Sequence, residues 1–238
     1  YWAVLLDEVY DGNWHNLIIY IPNANPTWDL SNAKVYLDTV DLGAGTPIST
    51  QTTAEITDIY GIFRHAGGGG ASPSAKISNW AYWLSDQQSN ISTIFNNGIP
   101  GDLTSLSPDV WWKLDADNVT IGSQVDVTDS SGNAVTGSGP LMADTTFPKL
   151  VDADVNAAGR SLIPNYSFDF DGIGDYIDVG TIDNQSTLTI SAWMNSDDLT
   201  ATQCIISDGG VSGQGYRKER EYVKVRDVPM ALEEQVCI

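Results

Sequence analysis

Tyr166-Ser-Phe-Asp-Phe-Asp-Gly-Ile-Gly-Asp-Tyr-Ile-Asp178 alternates apolar and polar residues over its first half, breaks at Asp-Gly and resumes at Tyr176. A period of two predicts a strand with Tyr166, Phe168 and Phe170 on one face, and the Asp-Gly step is turn chemistry. The same texture recurs at Tyr1 to Leu6, Asn16 to Ile21, Ala33 to Leu37, Thr57 to Phe63, Ala75 to Trp83, Asp109 to Leu114, Leu188 to Trp193 and Cys204 to Ser207. Short apolar runs bounded by Gly, Pro, Asn or Asp, and rich in β-branched and aromatic residues, predict an all-β antiparallel sandwich.

The 238 residues are 42% hydrophobic, enough to bury a core without a disulfide framework. Eleven Lys and Arg stand against 31 Asp and Glu, a net charge of -20. That balance removes the basic footprint that a phosphate backbone needs, so nucleic acid and anionic membranes are not expected as partners. The longest apolar runs, near Trp2 to Leu6 and Leu17 to Ile21, have strand length and fall far short of the roughly 18 residues that cross a bilayer. The opening at Tyr1, without a basic n-region or cleavage site, reads as a piece of a longer polypeptide. Cys204 and Cys237 lie in no metal or redox motif. Sequons at Asn90, Asn118, Asn165 and Asn184 barely exceed what the composition produces by chance.

Before Tyr216 every acidic residue except Glu8 and Glu55 is Asp, and that stretch carries the whole net charge. Asp bonds its own local backbone in turns and caps, whereas Glu favours helix surfaces, so the bias itself argues for a turn-rich β protein. Dense Asp in loops also suits calcium, which takes about six to eight oxygen ligands. From Arg217 to Arg226 the texture turns basic, marking residues 216–238 as a distinct charged tail.

One segment has helical spacing. Ser85-Asp-Gln-Gln88 has the form of a capping box, Ile91, Ile94 and Phe95 share a face, and Gly98 supplies a stop. Gly67 to Gly70 is a loop and, with no Lys-Ser/Thr after it, no phosphate cradle. Residues 100–108, Pro100-Gly-Asp-Leu-Thr-Ser-Leu-Ser-Pro108, read as a linker between units at 1–99 and 109–215.

The two units resemble the laminin G-like branch of the concanavalin A-like lectin/glucanase superfamily, in an unusual order. Asp11-Gly-Asn-Trp-His15, Lys34-Val-Tyr-Leu-Asp38 and Ile77-Ser-Asn-Trp-Ala-Tyr-Trp-Leu-Ser-Asp86 resemble the closing half of such a jelly roll. Trp111-Trp-Lys-Leu-Asp115, Val127-Thr-Asp-Ser-Ser-Gly-Asn133, Tyr166 to Asp178, Thr189-Ile-Ser-Ala-Trp193 and Ile205 to Gly210 resemble its opening half. Thr39 departs from the Gly that the family's hairpin carries after Asp38, and the charged tail departs from the strands expected beyond Gly210. An end-half and a start-half are complementary: they either close on each other as a circularly permuted sandwich or take missing strands from elsewhere.

The resemblance implies a noncatalytic carbohydrate- or receptor-binding module of an extracellular or virion-surface protein, with a glycan or cell-surface protein as partner. It also implies calcium, for which Asp171 and Asp175, within the set Asp169, Asp171, Asp175 and Asp178, are the expected ligands; the competing reading is a plain Asp-Gly turn. Trp28, in the polar loop Asn25-Pro-Thr-Trp-Asp29, and His65, beside the glycine loop, are the expected ligand contacts. Trp14, Trp80, Trp112 and Trp193 belong to strand or turn motifs and are expected in cores. His15 has no acidic or hydroxyl partner assigned by motif and reads as part of a turn.

No catalytic residue is expected. Retaining jelly-roll glucanases carry a Glu-x-Asp-x-x-Glu strand that sets two carboxylates about 5 Å apart, and neither Glu8, Glu55 nor the tail supplies one. A Gly-x-Ser-x-Gly elbow and a His-Glu-x-x-His helix are also missing. The alternatives are a polysaccharide hydrolase or lyase on the same fold, and a purely structural repeat.

Overall fold

The computed structural model describes residues 2–3, 11–22, 28–29, 32–43, 46–47, 53–54, 61–62, 74–114, 118–121, 124–135, 137–140, 149–152, 166–171, 177–178, 187–196, 206–207 and 223–224. Its centre is an eight-stranded sheet built from β1 (His15–Ile21), β2 (Lys34–Leu37), β3 (Val40–Asp41), β4 (Ser74–Trp83), β5 (Val110–Trp112), β6 (Lys149–Asp152), β7 (Tyr166–Asp171) and β8 (Leu188–Ser196). The order is β6-β7-β4-β8-β1-β2-β3, with β5 also paired to β4. Every pairing in it is antiparallel.

A six-stranded sheet joins Gly61–Ile62, Val119–Ile121, Gln124–Val127, Gly137–Pro140, Ile177–Asp178 and Ile206–Ser207. Two small sheets complete the strands, one pairing Trp28–Asp29 with Thr53–Ala54 and one joining Trp2–Ala3 to Thr46–Pro47 and Val223–Lys224. The architecture is the all-β antiparallel sandwich that the alternating runs predict. Among the described residues no helix is long and apolar enough to cross a membrane.

The order of strands mixes the two ends of the chain. β4 lies before residues 100–108, and both its neighbours, β7 and β8, lie after them; β8 in turn pairs with β1. Residues 100–108 themselves are packed against the sheet. Leu103 is 1% exposed and lies in one cluster with Ile18, Tyr36, Trp83, Ile94 and Trp111, with Leu106 against it. Trp83 Nε1 donates to the Leu106 carbonyl at 3.0 Å. Two leucines at i and i+3 thus lay this Pro-, Gly- and Ser-containing segment on one face of the sheet.

The opposite face is apolar. Leu17, Ile19, Trp80, Trp112, Phe168 and Ile190 are all buried on it, and Trp80 stacks on Trp112 at 4.9 Å between ring centroids. Covered on both faces, β8 is buried at all nine positions. Trp14, Trp80, Trp112 and Trp193 are buried as expected, and Trp83 and Trp111 join them.

The helix forms differently from the sequence reading. Only Ile91–Phe95 is α-helical, flanked by 3-10 turns at Gln88–Asn90 and Asn96–Gly98. Ser85 does not cap it: Ser85 Oγ accepts from Gln87 Nε2, and Asp86 takes the Gln88 N–H at 2.8 Å. The stop comes earlier than Gly98, at Asn96, whose φ of 45° is left-handed. Asn tolerates that region better than most residues because its side chain bonds locally, and Asn96 Nδ2 donates to the Ile99 carbonyl.

Replacing Leu103 by Ala should destabilise the protein by about 3 kcal/mol in denaturant unfolding, the usual cost of emptying a buried leucine site. A loss below about 0.5 kcal/mol would mean that residues 100–108 are a solvated connection.

Candidate functional site

Of the sequence-predicted site residues, Trp28 and Asp171 lie on described strands. Trp28 pairs with Ala54 in a two-residue strand. Asp171 ends β7 opposite Ser74, two register positions beyond Asp169, which pairs with Lys76. Asp178 pairs with Gly61 and Ser138. His65 and Asp175 lie outside the described residues. Carboxylate oxygen is the donor chemistry calcium prefers; among the described residues, however, no group of three or more His, Cys, Asp or Glu side chains is arranged to hold a metal ion.

The chemistry that does converge lies at the start of β1. His15 Nδ1 is 2.6 Å from Asp38 Oδ2, and His15 Nε2 is 3.0 Å from Asp11 Oδ1. Local sequence builds both carboxylates into place. Asp11 closes a tight turn by accepting the Asn13 N–H at 2.8 Å, with Gly12 supplying the positive φ of 76°. Asp38 opens the two-residue turn between β2 and β3, and its Oδ1 accepts the Asn16 N–H at 2.7 Å.

Burial works against the charged imidazole, but hydrogen bonds to Asp38 and Asp11 outweigh it and raise the His15 pKa above 6.5. Burial likewise opposes the Asp11 carboxylate, yet bonds from Asn13 and His15 bring its pKa down to about 2. With both ring nitrogens committed, His15 offers no lone pair to a substrate proton or a metal. Sequence reasoning missed these partners because Asp38 is 23 residues away; the i,i+4 spacing of Asp11 and His15 was the available signal.

A second polar group lies on the same edge of the sheet. Tyr36 Oη donates to Gln88 Oε1 at 2.9 Å, and Lys34 Nζ sits 3.5 Å from Asp41 in a half-exposed ion pair. Burial, then the Asp86 carboxylate, raises the Tyr20 pKa; burial, then Asp41, raises that of Tyr36. Both phenols are therefore neutral donors at physiological pH.

Four other described carboxylates close turns. Asp41, Asp86, Asp102 and Asp129 each accept the backbone N–H two residues on, at 2.7–2.8 Å, as Asp11 does. Asp129, 9% exposed, also accepts the N–H groups of Trp111 and Val135 and thereby ties the 129–135 turn to β5. Asp109 Oδ2 takes the Leu84 N–H, and Asn195 Nδ2 donates to the Gly12 carbonyl.

No protein family, curated protein or solved structure matches the chain.

Asp129→Ala strands three backbone donors at once, one of them the N–H of buried Trp111, and should cost roughly 2–4 kcal/mol in chemical denaturation. Asp102→Ala, in an exposed turn, should change stability by less than about 1 kcal/mol. Equal effects would count against the difference in burial as the cause.

Proposed function

We propose that the chain is a noncatalytic recognition module of the laminin G-like type, part of a multidomain extracellular or virion-surface protein, that binds a glycan or a cell-surface protein through loops at the rim of the sandwich. The observation that supports this reading is how the polar side chains of the large sheet and of the turns beside it are used. Asp38, Asp109, Asp129, Asn16, Asn79 and Asn195 each hydrogen-bond to main-chain groups of neighbouring segments. Strands whose polar groups hold the scaffold together leave recognition to the connecting loops, the usual division of labour in a sandwich.

On this reading Trp28 offers an indole face to a pyranose ring or an apolar side chain. His65 belongs to the same rim. Calcium, held by Asp171 and Asp175, orders the loop that follows β7 and supplies a charge to which sugar hydroxyls can bind.

A glycan panel tests the proposal directly. Saturable binding without product release, weakened roughly tenfold or more by Trp28→Ala at an unchanged melting temperature, is the expected result. Turnover of any glycan would instead favour a hydrolase or lyase. Millimolar calcium should raise the melting temperature, and the double variant Asp171→Ala with Asp175→Ala should abolish the increase. An unchanged melting curve would remove the metal from the proposal, and loss of both binding and calcium response would leave an architectural repeat.

A further inference from the structure

We propose that Asp11, His15 and Asp38 form a proton-operated clasp that fastens the outer β2–β3 hairpin to the start of β1, closed while the imidazole is protonated and released when it loses its proton. The hydrogen-bond inventory requires the charge. Asp11 Oδ1 already accepts the Asn13 N–H and its Oδ2 the Asn13 side-chain amide; Asp38 Oδ1 already accepts the Asn16 N–H. Both carboxylates act as acceptors, so both His15 nitrogens must donate. A neutral imidazole has one N–H and would set a nitrogen lone pair against a carboxylate at 2.6 or 3.0 Å.

What the clasp holds is a turn under strain. Leu37 pairs with Val40 across Asp38 and Thr39, whose φ values are 48° and 79°. Gly and Asn suit such a turn, whereas a β-branched Thr at positive φ carries a penalty that the surroundings must offset. Asp38 is bound at both its carboxylate oxygens, and its own N–H donates to the Asn16 carbonyl at 3.0 Å. β3 lies at the end of the strand order with Val40 60% exposed, and among the described residues it is held from one side, by its pairing with β2, the Leu42 N–H to the Val35 carbonyl and the Lys34–Asp41 pair.

Among the described residues, the charged groups that contact His15 come from two elements. Asp11 stands in the preceding turn and Asp38 in the hairpin; β8 brings the uncharged Met194 opposite, and the nearest described cation on the hairpin, Lys34, is paired with Asp41. Both charged neighbours therefore favour the imidazolium. A histidine whose folded pKa lies above its unfolded value of 6.5 stabilises fully below 6.5, and that contribution is lost as pH rises through the higher folded value.

The full chain with His65→Gln leaves one imidazole to follow by NMR. His15 should titrate above 6.5, and the amides of Asn16 and Leu42, the latter bonded to the Val35 carbonyl, should shift with the same midpoint. Asp38→Asn should move the midpoint down toward 6.5 and uncouple the Asn16 amide; Asp11→Asn, in a more exposed turn, should move it less. A midpoint at or below 6.5 in the His65→Gln chain, or hairpin amides indifferent to it, would overturn the clasp.

Discussion

Everything in the large sheet depends on how β4 is paired. Its backbone donors and acceptors are met on one side by β7 and on the other by β8, and β5 continues the ladder at its C-terminal end. All three lie beyond residue 108. A ten-residue strand with one apolar face is untenable in water with both edges open, because unpaired N–H and C=O groups recruit whatever strand is available. The motifs that resemble an ending and those that resemble a beginning thus meet in one ladder, which the apolar face then seals. Pairing of this kind is non-local, so loop-closure entropy is spent before the core contacts repay it.

That ladder contains one irregularity, and side chains are assigned to it. The β4–β8 register shifts between Ser191 and Trp193, and Asn79 absorbs the extra residue at a φ of 50°. Its N–H bonds the Lys113 carbonyl, its amide nitrogen bonds the Gly101 carbonyl, and its Oδ1 accepts the Trp111 indole N–H at 2.6 Å. A left-handed Asn costs about 1 kcal/mol, and each satisfied buried bond returns about the same, so the balance favours the bulge. The bulge also sets Ile77 and Trp80 on one face despite their odd spacing. There Trp80 meets Trp112 and Ile77 meets Phe168.

This explains what the sequence did and did not disclose. Short alternating or wholly apolar runs mark β1, β2, β4, β5, β7 and β8, because a strand buried on one face or on both leaves a direct trace in residue order. The Asp bias disclosed its use as well: Asp41, Asp86, Asp102 and Asp129 close turns with bonds that span two residues, the range over which local composition speaks. Interactions between distant segments left weaker traces. Leu103 and Leu106 looked like linker residues because their partners, Trp83 and Trp111, lie on strands from both sides of the connection. The pairing of His15 is hidden for the same reason, since its closer carboxylate arrives on another hairpin. At Ser85 the local pattern was present but overruled. The Ser85 carbonyl and the Gln87 N–H bond Thr189 of β8, which fixes the backbone before the helix begins.

The same turns explain how a chain of net charge -20 holds together. Repulsion among exposed carboxylates is screened beyond roughly 8–10 Å at physiological ionic strength, whereas each turn bond acts at 2.7–2.8 Å. Short range therefore wins, and for Asp102 the Thr104 hydroxyl and N–H hold the pKa below its ordinary value. Glu would not substitute, because the extra methylene carries its carboxylate past the N–H two residues on. Among the described residues, five carboxylates thus serve turn construction: short strands need turns, and Asp closes them with a short-reach acceptor.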